Sequence, residues 1–187
     1  MAGHGSHMGG CVDSVNDAGQ QAPESGVDAG FDEDAVLLLM QWLAEQGAVV
    51  TISAGGSAVR PVREERWTFH VSGPVVVAEE GTIGQCVRNA LPRLREAGMP
   101  VDEGMPESAC MRGGGPEGTG MLVLDWLAEQ GLSVFLKADG ARTTPGWTLI
   151  VGGEPLTERQ RADGPSAGRC LGRMLSRLRA EGVAVPV

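Results

Sequence analysis

The sequence predicts an α+β fold: two tandem α-β-β-(β)-α units packed with pseudo-two-fold symmetry, an antiparallel sheet covered by helices. Three observations predict it. The six residues Trp42-Leu43-Ala44-Glu45-Gln46-Gly47 recur unchanged as Trp126-Leu127-Ala128-Glu129-Gln130-Gly131, an offset of 84. Each copy is followed by short β-branched or apolar segments bounded by Gly and Pro, the pattern of strands. Each half then closes on a segment with apolar residues at helical spacing. In a duplicated chain, a residue needed for folding should stand in both copies, whereas one specialised for chemistry can stand in one.

The match extends through both halves. Gly84, Cys86, Leu91, Arg93, Leu94, Arg95 and Gly98 align with Gly168, Cys170, Leu175, Arg177, Leu178, Arg179 and Gly182 at the same offset, and Trp67-Thr68 aligns with Trp147-Thr148 at 80. Loops absorb the difference. The first helix starts at Asp32 to Asp34, carboxylates suited to a positive helix N-terminus, and carries Val36, Leu39, Met40 and Leu43 before Gly47 ends it. Its counterpart runs from a Thr119 cap through Met121, Leu124 and Leu127 to Gly131. Val49–Ile52 with Trp67–Val71, and Leu132–Leu136 with Trp147–Val151, read as a hairpin in each half. Third strands are expected at Val75–Ala78 and, more weakly, at Leu156–Arg159.

The closing helices are the clearest local feature. Thr82-Ile83-Gly84-Gln85 fits a capping box, in which a threonine hydroxyl and a glutamine side chain satisfy each other's backbone N–H groups. Ile83, Cys86, Val87, Ala90, Leu91 and Leu94 form an apolar stripe, repeated as Ala167, Cys170, Leu171, Met174, Leu175 and Leu178. Pro92, standing where the second copy has Ser176, predicts a kink in the preceding turn.

Residues 1–31 carry little large apolar surface and read as a disordered acidic tail, with 1–8 resembling an expression-vector remnant. Repeat one is expected over 32–101, a flexible Gly/Pro/Met-rich linker over 102–118, and repeat two over 119–187. The net charge of -9 is concentrated in the tail and the start of the first helix: residues 1–34 hold seven of the 24 acids and no Lys or Arg, leaving 17 acids against 15 bases elsewhere. Such a chain is repelled by bulk nucleic acid and anionic membrane. No apolar run has the roughly 20 residues needed to span a bilayer, and the chain starts with no basic, apolar signal segment, so a cytoplasmic protein is expected. Cys86 and Cys170 read as buried free thiols, the alternative being a bridging pair across the repeats. Without a CxxC or Cys/His cluster, no metal or other cofactor is expected.

Candidate functional residues fall into three groups. His70, replaced by Ile150 in the second half, is the one candidate general base of its type; no nucleophile or carboxylate motif accompanies it, so no catalytic residue is assigned and the protein is expected not to be an enzyme. Trp67 and Trp147, with Trp42 and Trp126, are core anchors or the lining of a ligand pocket between the repeats. Arg88 and Arg95 in one half, and Arg169, Arg173 and Arg177 in the other, lie on the closing helices; the latter three follow an i, i+4, i+8 line that forms a ridge. The recurring Glu45 and Glu129 read as solvent-facing residues before the helix-ending glycines.

The order α-β-β-β-α is similar to that of double-stranded-RNA-binding domains, in topology alone. Those domains open their last helix with lysines, whereas Thr82–Gln85 and Ser166–Arg169 offer almost no charge. The leading expectation is a non-enzymatic protein-protein interaction or regulatory protein, with the arginines facing an acidic partner or the chain's own tail. The second is a small-molecule binding or sequestering protein with a Trp-lined pocket. The third is nucleic-acid binding through the Arg-bearing helices, which would weaken steeply with salt.

Overall fold

The structure, a computed structural model, describes residues 33–55, 67–101, 119–144 and 146–185. The expected tail and linker lie outside the described residues. In chain order the elements are α1 (Glu33–Glu45), β1 (Val49–Ala54), β2 (Trp67–Ser72), β3 (Val77–Gly81), α2 (Ile83–Glu96), α3 (Thr119–Glu129), β4 (Ser133–Asp139), β5 (Gly146–Gly152), β6 (Gln160–Gly164) and α4 (Ala167–Ala180). The six strands form one antiparallel sheet in the order β3-β2-β1-β4-β5-β6, which reads alike from either edge. Both expected hairpins are present, as β1-β2 and β4-β5.

The two halves meet where β1 pairs with β4. Ile52 stands opposite Leu136, the residue with which it aligns in sequence, and Ser53 and Thr51 stand opposite Phe135 and Lys137. Strand alternation then sorts the sheet into two faces. Val50, Ile52 and Ala54 of β1, Trp67, Phe69 and Val71 of β2, Val134, Leu136 and Ala138 of β4, and Leu149 and Val151 of β5 are all buried on one face. All four helices pack there: α1 and α3 over the central strands, α2 over β2 and β3, α4 over β5 and β6. Each fully buried Leu- or Phe-sized side chain contributes about 1.5–3 kcal/mol. The opposite face carries Thr51, Ser53, Thr68, His70, Lys137, Arg161 and Asp163, half-buried or exposed.

Helix ends follow from local chemistry. At the C-terminus of α1 the Gly47 N–H donates to Ala44 O at 2.9 Å and the Ala48 N–H to Leu43 O at 3.0 Å, with Gly47 at φ 84°. That pair of bonds satisfies carbonyls the helix would leave open, and it needs a left-handed residue, which glycine adopts without a Cβ clash. The same pair of bonds ends α3 at Gly131. The Thr82–Gln85 capping box is complete at the start of α2. Pro92 lies inside α2, which runs unbroken from Ile83 to Glu96.

Two boundaries differ from expectation. β3 is Val77–Gly81, shifted toward α2, leaving Val75 and Val76 outside the strand; Val76 is 74% exposed. The last strand is Gln160–Gly164, not Leu156–Arg159. Apolarity pointed to Leu156, but the pairing with β5 is set by Ala162 opposite Leu149 and Asp163 opposite Thr148. The sequence of an edge strand is a weak guide because one buried side chain suffices to seat it.

Cys86 and Cys170 are free and buried, as expected. They lie on α2 and α4 over opposite flanks of the sheet, which rules out a bridge between them in this fold. Each thiol sits on the carbonyl of a strand tryptophan: Cys86 Sγ donates to Trp67 O at 3.5 Å and Cys170 Sγ to Trp147 O at 3.4 Å. Burial pushes both thiols up, that of Cys170 to about 11. No described helix is long and apolar enough to cross a membrane.

One packing constraint is absolute. Gly140, just after β4, donates its N–H to Ala48 O at 2.9 Å, and a Cβ there would lie 1.9 Å from Ala44 O. Backbone cannot yield as a side-chain tip can. We expect Gly140→Ala to destabilise the protein by about 2 kcal/mol or more, at the upper end of overpacking costs; urea unfolding measures it. Gly172→Ala is the contrasting control, because a Cβ at Gly172 meets nothing within 4 Å. It should raise stability by about 0.5–1 kcal/mol through helix propensity.

Candidate functional site

The helical layer leaves a groove between α1, α3 and α4, with a volume of about 580 Å³. Leu37 and Leu38 of α1, Val123 of α3, and Leu171 and Leu175 of α4 give it an apolar lining, and Trp147 of β5 forms part of its wall. Gly120 keeps it open at the start of α3, since a Cβ there would come 2.7 Å from Leu37 Cδ1 and 3.3 Å from Leu171 Cδ1. On the same helix α3, Leu122 is 58% exposed and Trp126 is half-buried.

The groove's Trp147 indole and Gln41 amide are bonded to each other. Trp147 Nε1 donates to Gln41 Oε1 at 2.9 Å, and Gln41 Nε2 donates to Glu45 Oε1 at 2.7 Å. The first bond reaches from β5 in the second half to α1 in the first. Its counterpart runs the other way: Trp67 Nε1 donates to Asp125 Oδ1 at 2.9 Å, from β2 to α3. Gln41 and Asp125 align at the offset of 84, so each half lends its first helix an acceptor for the other half's indole. Both indoles are nearly sealed, with Trp67 3% and Trp147 4% exposed, and a buried N–H of this kind requires a partner.

The tryptophans expected to line one pocket are thus separated. Trp147 lines the groove, while Trp67 packs in the core on the far side of the β1-β4 pair. The arginines are separated as well. Arg88 and Arg95 belong to α2 on the β2-β3 flank, whereas Arg169, Arg173 and Arg177 lie exposed along α4. On α4 they border a shallow depression with Gly168, Gly172 and Ser176. Arg173 and Arg177 are not bare: their Nη1 groups donate to the Asp163 and Arg161 carbonyls of edge strand β6. In the first half, Arg93 occupies the position of Arg177 and reaches Glu79 Oε1 at 2.8 Å. Ala162 stands in β6 where β3 has Glu79, so Arg177 has no carboxylate there and takes backbone instead.

The other face of the sheet holds two charge clusters. Arg161 pairs with both carboxylate oxygens of Asp163 at 3.0 Å, and Thr148 Oγ1 donates to Asp163 Oδ1 at 2.7 Å. Asp139 accepts Lys137 and Arg142, each at 2.9 Å. Hydrogen bonding to Arg161 and to Lys137, respectively, holds the Asp163 and Asp139 carboxyls below their ordinary value. His70 sits on this face between Thr51 and Ala78, away from both clusters in the strand order. Among the described residues no group of three His, Cys, Asp or Glu side chains could hold a metal ion.

Sequence reasoning missed Gln41 and Asp125. Their signal was present: a polar residue interrupts each otherwise apolar first helix at the same place, immediately before Trp42 and Trp126. The groove residues Leu38, Val123 and Leu175 gave no such signal, because an apolar residue at helical spacing reads as core.

Two expectations follow. Asp125→Ala leaves the buried Trp67 N–H without an acceptor and should cost about 1–3 kcal/mol in denaturant unfolding, with Gln41→Ala costing a comparable amount through Trp147. Asp139 and Asp163 have folded-state pKa values below the unfolded ones, so their contribution is complete above about pH 4 and is lost as pH falls through the folded values. Asp139→Asn with Asp163→Asn should therefore lower stability at neutral pH and flatten its fall on acidification, as read by unfolding at stepped pH.

A scan against protein-family models, a search of curated proteins and a search of solved structures each found no match to this chain.

Proposed function

We propose that this is a non-enzymatic protein that binds another protein through its helical layer. In this reading residues 32–101 and 119–187 are copies of one unit, related by a pseudo-two-fold axis at the Ile52–Leu136 pair. The palindromic strand order, the pairing of Ile52 with its aligned residue and the crossed indole bonds support that arrangement. Two buried free thiols support a reducing compartment, the cytoplasm, as the place of action.

The observation that carries the binding reading is the groove between α1, α3 and α4. Apolar side chains from three helices line it, the composition expected of a recognition face. A second reading, a small-molecule site in the same groove, draws on the volume of about 580 Å³ and on the Trp147 wall, both within the usual range for ligand pockets. Nucleic-acid binding is less favoured, because a chain with a net charge of -9 is repelled by a polyanion.

Native mass spectrometry of the untagged chain, gently purified from its own host, tests these readings. The first predicts a retained protein subunit that is lost on Leu175→Asp, a change at a half-exposed groove position. A retained small mass lost on the same change would replace it with the second. If neither species depends on Leu175, the groove is not the binding site.

A further inference from the structure

The α4 side of the groove differs from the rest of the helical layer in ways that specify an occupant. Around α4, Leu171 and Leu175 face the groove, Gly168, Gly172 and Ser176 form the exposed crest, and Arg169, Arg173 and Arg177 follow on the β6 side. Gly168 and Gly172 line both depressions, so the low crest joins them into one surface. A Cβ at either glycine would meet nothing within 4 Å in this chain. Packing within the fold does not explain them, and glycine weakens a helix.

The first half shares Gly84 and Arg93 at the positions of Gly168 and Arg177 but lacks the other features. The positions of Gly172 and Ser176 hold Arg88 and Pro92 in α2, and those of Arg169 and Arg173 hold Gln85 and Asn89. Arg169 also has a local cost. In α2, Gln85 completes the capping box by accepting the Thr82 N–H at 3.0 Å, whereas in α4 only the bond from Arg169 N–H to Ser166 Oγ is formed, at 3.3 Å. A guanidinium has no acceptor with which to close the box. The second half thus gains Arg169 and Arg173 on the β6 side and exchanges Arg88 for Gly172 on the crest, which places the positive charge in one row beside an apolar groove.

We propose that this surface docks an acidic amphipathic helix of a partner protein. Its apolar side would fill the groove against Leu38, Val123 and Leu175, its backbone would cross the Gly168–Gly172 crest, and its acids would meet the arginine row. The geometry suits a helix: successive arginines are four residues apart, about 6 Å along α4, the spacing of acids at i and i+4 on a neighbouring helix. Arg173 and Arg177 each spend one N–H donor on β6, leaving others of their five for a carboxylate. A second copy of this chain docked α4 to α4 would set arginine rows against each other, which disfavours self-association.

This inference rests on the binding reading above, and the test separates the two. The probe is a fluorescein-labelled designed helix of about 20 residues, with leucines at i, i+3, i+4 and i+7 and glutamates flanking them at i, i+4 and i+8. A second peptide carries lysines in place of the glutamates. Anisotropy with the full chain should show the acidic peptide binding at least about 10-fold more tightly. Arg169→Glu, whose guanidinium has no side-chain partner among the described residues, should erase that preference, and Gly172→Leu should weaken the acidic peptide while the chain stays folded. Equal binding of both peptides, abolished by Leu175→Asp, would overturn the acidic partner but keep the groove as a docking site. Failure of both peptides to bind would overturn both readings, and a dimer in sedimentation that Leu175→Asp dissociates would assign the face to a second copy.

Discussion

The pairing of β1 with β4 is the interaction on which the rest of the molecule depends. A unit of about 65 residues buries only a marginal core alone, and each half's sheet would end in an open edge along β1 or β4. Joining those edges turns two three-stranded sheets into one of six and creates a continuous apolar floor under α1 and α3. The crossed indole bonds then tie each half's second strand to the other half's first helix. Neither half supplies its own acceptor for its tryptophan, so each core is complete only in the presence of the other.

That shared centre leaves the flanks free to diverge. On one flank, α2 is capped by a full box and Arg93 is bound to Glu79; on the other, α4 has a half-made cap, a Gly172 that its own packing does not require, and arginines directed at backbone. The differences fall where the helical layer opens. Residues on a flank can differ without disturbing the β1-β4 seam.

Much of the fold was legible because the same sequence pattern recurs in both halves. The apolar stripes, the helix-ending glycines and the paired hairpins appear twice, and agreement between copies removes the ambiguity of a short apolar run. The edge strands were less legible. β6 seats one buried side chain, Ala162, so the more apolar Leu156 drew the prediction to the wrong residues. The site was legible only in part. Trp147 and the α4 arginines could be named, but the groove that Trp147 helps to line is formed by helices from both halves of the chain. Trp67 could not be told from Trp147, since the two are equivalent in sequence and differ only in what lies beyond the indole.

The most direct test of this account is whether the halves unfold as one body. Equilibrium unfolding of the full chain in urea, followed together by tryptophan fluorescence and by hydrogen exchange at β1 and β4, should give one coincident transition. The β1-β4 amides should exchange only through global opening. Two separated transitions, or β1-β4 amides that exchange well before the rest of the sheet, would mean that the halves are independent domains and that the seam does not hold the molecule together.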